Sequence, residues 1–446
     1  MLFLFSRFKL CEYLHFFSEL QEKRFLCNFL YKNKVYATKF KQDFNPLFYV
    51  LIMKKLLLLL TVLFWLTAGF AQHLSFQSSK VDSLDAKTLF ERITKIEKKT
   101  EKLNVFLNTQ GSFNVYPKGN SREQGTFKMN QLRLEIKGNI NPWIFYRYRQ
   151  RLNQSNNPES LDNLPNSIDY AAIGFQITEK FSIFAGKESV VFGGIEFDLN
   201  PIEVYEYCDL LAYMHSFQTG VDFSYWLTDN HELQFQVVNS RNGSFEDMFG
   251  KTDSTVKPAK TPLGYTLNWN GSFWENTIRT RWSASVFHDA THKNMYYYAL
   301  GTELNLHRFQ MYFDFMLSKE ELDRKGIISR LAYAAGFTNR AEDVRYMALV
   351  AHFNYRILPK LNLFFKGMYE TASVTHTNEE YSKGKYATSW GYIGGIEYYP
   401  MRENLHFFLT YVGRSYDYTQ CARNFGASNT NPQRISAGII YQIPVF

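Results

Sequence analysis

The sequence predicts an all-β fold: a transmembrane antiparallel β-barrel of sixteen strands, preceded by a short N-terminal helical segment. Two observations carry this reading. The first is the stretch Trp143–Leu152, WIFYRYRQRL. Read with a period of two, Ile144, Tyr146, Tyr148 and Leu152 share one face, and Arg147, Arg149 and Arg151 share the other. Three unpaired guanidinium groups in a protein core would cost far more than the apolar face gains. The first face therefore meets lipid and the second lines water. The second observation is composition. Aromatics make up 17% of the chain, with 30 Tyr and 41 Phe, yet the mean hydropathy is −0.31. A helical membrane protein with many spans cannot have that value, whereas a barrel can, because each strand averages an apolar and a polar face.

The one long apolar run, Leu56–Leu66, follows Lys54 and Lys55 and ends at Gly69-Phe70-Ala71. It reads as a secretory signal peptide over 53–71, cleaved before Gln72; the run is short for a membrane anchor. A signal peptide does not normally start behind fifty residues, so Met53 is the expected start and 1–52 a start-site misassignment. The mature chain then keeps forty of the 50 basic and thirty-eight of the 42 acidic residues, a net charge of about +2 that implies no nucleic-acid partner. Of the four cysteines only Cys208 and Cys421 remain, in no metal or redox pattern; a disulfide between them is permitted but not required. Within the 72–103 segment, Leu89, Ile93, Ile96, Thr100 and Leu103 step as a heptad seam. Two heptads are too short to be stable alone. The segment is either a parallel bundle below a trimer or a loosely structured linker.

From 104 to 446 strand follows strand. The expected spans are 104–116, 126–138, 143–152, 168–177, 181–193, 217–227, 232–239 and 262–270, then 278–287, 296–306, 309–317, 346–357, 361–370, 388–399, 405–416 and 434–446. The segment 328–338 also looks strand-like. Short joints such as Leu358-Pro359-Lys360 and Leu306-His307-Arg308 suit the periplasmic end, where barrel turns are short. An even number of strands must pass between those two joints, which assigns all of 318–345 to one long outer loop. Both termini then lie in the periplasm, and sixteen strands enclose an aqueous lumen. Pro444, which lacks a ladder donor, is tolerable only at a strand end, where it sits. The chain closes on Phe446, as exported barrels do.

Strand parity places Arg133 and Lys137 beside Arg147, Arg149 and Arg151, facing the lumen, with Glu135 among them; Arg279 and Arg281 form a second pair. Clustered guanidinium groups in a narrow channel raise the local anion concentration and can hydrogen-bond oxyanions. Equally, the interior of any water-filled barrel is polar, and loop carboxylates can neutralise such groups. The third outer loop, 194–216, is long, apolar-rich and acidic. It is expected to pack on the inner wall, with Glu196, Asp198, Glu203, Glu206 and Asp209 facing the arginines across a constriction; the alternative is an ordinary surface loop. Enzyme readings fare worse. His288, Asp289 and His292 lack a third ligand or helical spacing for a metal, and no GxSxG, phosphate loop or CxxC is present. A barrel-embedded lipid hydrolase is the alternative from another class, and a non-selective structural barrel is a third reading. No cofactor is expected.

The segments LRLEIKG and FYRYRQRL within 132–152, the pair SIDYAAIGFQITEKFSIFAGKESVVFGG (167–194), the third loop and the closing C-terminus together resemble the phosphate-selective porin O and P family. The resemblance covers most of 104–446. It implies a trimeric sixteen-stranded channel in the outer membrane, narrowed by inward-folded loops and basic wall residues, that passes small anions by diffusion, with phosphate as one candidate. The acidic third loop departs from the family pattern and bears on phosphate selectivity rather than on porin identity.

Overall fold

The computed structural model describes residues 102–118, 124–401 and 405–445. The signal peptide, the proposed start, Phe446 and all but the end of the heptad segment lie outside the described residues. Sixteen strands form one closed antiparallel barrel. They are β1 (Asn104–Lys118), β2 (Gly125–Asn141), β3 (Ile144–Arg151), β4 (Ile168–Thr178), β5 (Phe181–Ser189), β6 (Phe217–Thr228), β7 (His231–Asn239) and β8 (Leu263–Phe273). The second half runs β9 (Ile278–Ala290), β10 (Lys293–Asn305), β11 (Phe309–Leu322), β12 (Glu342–Leu358), β13 (Leu361–Val374), β14 (Gly384–Tyr398), β15 (Leu405–Tyr418) and β16 (Gln433–Pro444). Each strand pairs with its neighbours in sequence, and β1 closes on β16 with Leu107 opposite Ile443 and Phe113 opposite Ala437. Closure satisfies every backbone ladder within the sheet, which the hydrocarbon region demands. Pro444 is the last residue of its strand, opposite Phe106.

Turns at one end are short and loops at the other are long, as barrel topology requires. Outside, Trp143, Trp226, Trp274, Tyr355 and Tyr398 are exposed next to the short turns, the position of an aromatic girdle. Three expectations need correction. The loop expected over 288–295 shrinks to two residues, because β9 and β10 continue as a longer hairpin. The strand-like segment 328–338 is a loop, as topology demanded, but Ile327–Ala334 within it is helical. Its apolar residues Ile328 and Ala332 recur four apart and turn inward. Third, β5 stops at Ser189 rather than 193. Val190 and Phe192 leave the wall and become fully buried, and Gly193 and Gly194 adopt φ of 67° and 84°, left-handed values that send the chain into the lumen.

The third loop, 190–216, then lies across the barrel interior. Its Phe192, Ile195, Cys208, Leu210 and Leu211 pack with the inward residues Phe287, Met295, Tyr297, Met316 and Met368 of β9 to β13. The helix Ile327–Ala334 and the last loop, through Ala422 and Phe425, extend the same core. The aqueous lumen expected for sixteen strands is therefore only part of the interior. The side bounded by β9 to β15 is packed like a protein core. The inward faces of β1 to β7 carry Asn, Gln, Ser and charged residues instead, among them Asn108, Gln110, Arg133, Glu135, Asp222 and Gln236.

Cys208 and Cys421 are free. Cys208 is completely buried where the third loop packs on the wall, and burial, with Glu370 and Glu196 adding, pushes its thiol well above the usual range. With Cys421→Ser as background, the native barrel should not react with maleimide at Cys208. Phe192→Ala, which removes a buried ring worth about 3–5 kcal/mol, should make the thiol accessible. Rapid labelling of the parent protein would contradict the docked loop.

Candidate functional site

The open part of the interior is a cavity of about 1490 Å³ between the third loop and the β1–β7 wall. Its basic side is built on β2 and β3. Their register sets Arg133 opposite Arg151, Glu135 opposite Arg149 and Lys137 opposite Arg147, and all six line the cavity. Like charges directly opposite one another destabilise a sheet. A carboxylate on the next strand removes that cost. Arg149 pairs with Tyr170 and Gln150 with Ile168, so Asp169 is the extra residue of a β-bulge. The bulge turns Asp169 to the arginines, although strict alternation would put it on the lipid side with Ala171 and Ile173. It is fully buried, accepts from Arg133 Nη1 at 2.9 Å and Arg149 Nε at 3.0 Å, and forms an ion pair with Arg151, whose Nε lies 3.0 Å from Oδ1. Glu135 takes Arg147 at 2.8 Å, with Lys137 at 3.9 Å.

Tyr170 completes the wall. Its ring lies 3.9 Å from the Arg147 guanidinium carbon and 4.7 Å from that of Arg149, which also sits 5.4 Å from the Phe217 ring. Such contacts hold the guanidinium planes in place without neutralising them. Five cations thus face two carboxylates, and Arg147 and Lys137 are the more exposed members.

The acidic loop residues do not face these arginines. Glu196 pairs with Lys366 at 2.5 Å and accepts from Tyr312 Oη at 2.7 Å. Asp198 pairs with Arg281. Glu206 pairs with Arg434 at 2.9 Å. Asp209 pairs with Arg414 at 2.9 Å, and Arg414 is shared with Glu370 at the same distance. Glu203 lines a separate small cavity of about 40 Å³ with Glu303, His352 and Glu397. The expected opposition of loop carboxylates and β3 arginines is corrected accordingly. A carboxylate carried into a partly apolar interior must be paired where it lands, and this loop lands on the far wall. Asp314 reinforces the docking by accepting from the backbone N–H groups of Ile195 at 2.8 Å and Glu196 at 2.9 Å.

The two arginines on β9 separate. Arg281 lines the main cavity, whereas Arg279 pairs with Glu303 of β10 at 2.9 Å and lies outside that lining. Sequence reasoning missed Lys366, Arg414 and Arg434, the cations that hold the loop. Lys366 had a signal: it alternates with Phe364 and Met368, an inward apolar phase that only an inserted loop explains. Asp289, grouped with two histidines in the sequence, is instead bound by Arg324 of the sixth loop at 2.6 Å.

Three comparisons bear on this geometry. A search of curated proteins finds no significant relative. Among solved structures, the outer membrane channel DcaP of Acinetobacter baumannii superposes with a TM-score of 0.55 at 12% identity, over 78% of this chain and 99% of that one. OmpF of Salmonella typhi, solved in complex with daunomycin, gives 0.53 at 16% identity over 78% and 99%. In vitro folded OmpT of Vibrio cholerae, in its trimer form, gives 0.50 at 10% over 77% and 99%. At these identities the likeness concerns the fold. The family model for phosphate-selective porin O and P matches residues 103–443, nearly the whole barrel, and the anion preference expected from the sequence fits that description. The chain belongs to the phosphate-selective porin O and P family and is an outer-membrane porin, a channel for passive diffusion.

Proposed function

We propose that small anions cross this channel along the β2–β3 wall, with Arg133, Lys137, Arg147, Arg149 and Arg151 as the attracting groups and Arg281 at its edge. The observation that carries the reading is the excess of five cations over Glu135 and Asp169 on one side of the cavity. Arg147 and Lys137, which keep exposed surface, meet the solute; Arg133, Arg149 and Arg151 supply field from behind. A unit charge about 8 Å away contributes roughly 2 kcal/mol at an effective dielectric of about 20, and salt screens it over about 8 Å. The preference is therefore moderate, and phosphate is one candidate among small oxyanions. Lys366, Arg414 and Arg434 act on the loop rather than on the solute. The acidic residues Glu196, Asp198, Glu206 and Asp209 are anchors in this reading, not a selectivity screen.

The working unit is a homotrimer in outer-membrane lipid, with the N-terminus on the periplasmic side after cleavage before Gln72 and no enzymatic activity. Support for the trimer comes from the trimer form of the similar Vibrio cholerae OmpT. Light scattering in mild detergent should give three chains per particle, and a monomer would remove this part. Intact mass should show that the chain starts at Gln72; any peptide from 1–52 would reverse that assignment.

In planar bilayers under a salt gradient, Arg147→Gln with Lys137→Gln should lower the anion-to-cation permeability ratio several-fold, and Glu135→Gln should raise it. Unchanged reversal potentials in both would overturn the reading. Asp169→Asn should act on stability instead. It leaves three clustered guanidinium groups without their carboxylate, a loss of about 3–5 kcal/mol by analogy with broken buried pairs, which should lower the heat-modification temperature on gels.

A further inference from the structure

Two strands along the same wall from the arginines stand acidic groups that no cation among the described residues pairs with. Glu188 on β5 and Asp222 on β6 both line the cavity and are 4% and 6% exposed. Among the described residues neither has an ion-pair partner, and Glu188 Oε1 and Asp222 Oδ1 have no hydrogen-bond donor. Burial dominates the environment of both groups, and the charged neighbour each one feels is another carboxylate, Asp222 for Glu188 and Glu232 for Asp222. Their contacts are neutral: Gln236 beside Glu188, Ser224 Oγ and Gln234 Nε2 each at 3.2 Å from Asp222 Oδ2. Lys187, next in sequence, is held by Glu159 at 3.6 Å and Asp162 at 3.1 Å of the second loop. A carboxylate buried without a cation takes up either a proton or a cation, and in a channel wall the passing solute can supply the cation.

Register places Glu188 at the level of Arg149 and Asp222 at the level of Phe145, so that the two bracket Arg147. Arg149 pairs with Tyr170 across β3 and β4. Ala171 pairs with Lys187 across β4 and β5, which sets Tyr170 against Glu188, and Glu188 pairs with Gln218 of β6. Arg149 and Glu188 are thus two strands apart, about 10 Å between backbones, with the Tyr170 ring between them. Arg147 lies two residues further along β3, so its backbone and that of Glu188 are about 12 Å apart, a gap that the two side chains and a dipeptide of about 7 Å together bridge.

We propose that Glu188 and Asp222 form a binding strip for the ammonium group of zwitterionic solutes whose carboxylate lies against Arg147 and Lys137. The substrate class is small zwitterions with separated charges, such as short peptides. The proposal rests on the cationic-wall reading above and adds the opposite pole. A solute aligned along the wall from Arg147 to the acidic strip supplies a counter-ion at each end at once, which a simple anion cannot do.

Full-length protein reconstituted into liposomes tests this by swelling rates with glycylglycine, N-acetylglycine and erythritol, which are matched in small size but zwitterionic, anionic and neutral. Glu188→Gln with Asp222→Asn keeps side-chain shape. It should slow glycylglycine several-fold relative to erythritol, while N-acetylglycine keeps or gains speed. An unchanged ratio of glycylglycine to erythritol overturns the strip. The cationic wall is read separately in the parent protein. If N-acetylglycine enters no faster than erythritol there, that wall does not attract anions, and the two-pole site fails with it even when the carboxylate variant slows glycylglycine.

Discussion

The ion pairs between the third loop and the wall from β9 to β16 decide where the channel runs. Four carboxylates of one loop, Glu196, Asp198, Glu206 and Asp209, meet four cations on four strands, Lys366, Arg281, Arg434 and Arg414. Between them Phe192, Leu210 and Leu211 settle into an apolar bed. The apolar contact supplies most of the adhesion, since each fully buried side chain of this size is worth about 1.5–3 kcal/mol. The ion pairs add register more than strength, because the desolvation of paired charges offsets much of their attraction. They specify which part of the loop lies over which strand. Once the loop is fixed to one side, water is left only along β1 to β7.

That remaining wall has its own electrostatic problem, and a single irregularity solves it. Two strands that present arginines to each other across a ladder would repel. The bulge at Asp169 brings one carboxylate into contact with three guanidinium groups. Neutralisation is deliberately incomplete in effect: the wall holds together, and a net positive field remains. Tyr170, the neighbour that stays in phase, becomes a flat support for Arg147 and Arg149. A regular strand could not offer both side chains to the same face.

The barrel itself was legible because its constraint is periodic. Alternation of two, an even strand number and short turns at one end bound the sixteen strands to within a few residues, and topology even overruled the strand-like 328–338. What alternation cannot reveal is where it breaks. Parity sets Asp169 with lipid-facing residues, so nothing in the pattern marks it as a partner of the arginines, and the apolar run Val190 to Phe192 reads as a continuation of β5. The third loop's composition announced that it packs on something, but not on which wall. That choice depends on Lys366, Arg414 and Arg434, far away in sequence, and long-range pairing of this kind leaves no local signature.

The location of the field has a consequence for how the channel responds to loop motion. Had the loop carboxylates faced the β3 arginines, as the sequence suggested, any displacement of the loop would have altered both pore width and selectivity together. Here the cations and the unpaired Glu188 and Asp222 all stand on strands of the closed sheet, whose ladders hold them rigid. The loop's own charges are consumed by its anchors. Pore width is thus set by the docked loop, and the sign and direction of the field by the sheet. A loosened third loop would widen the opening and dilute the field by distance and screening, yet the arginine wall and the acidic strip would keep their places relative to each other.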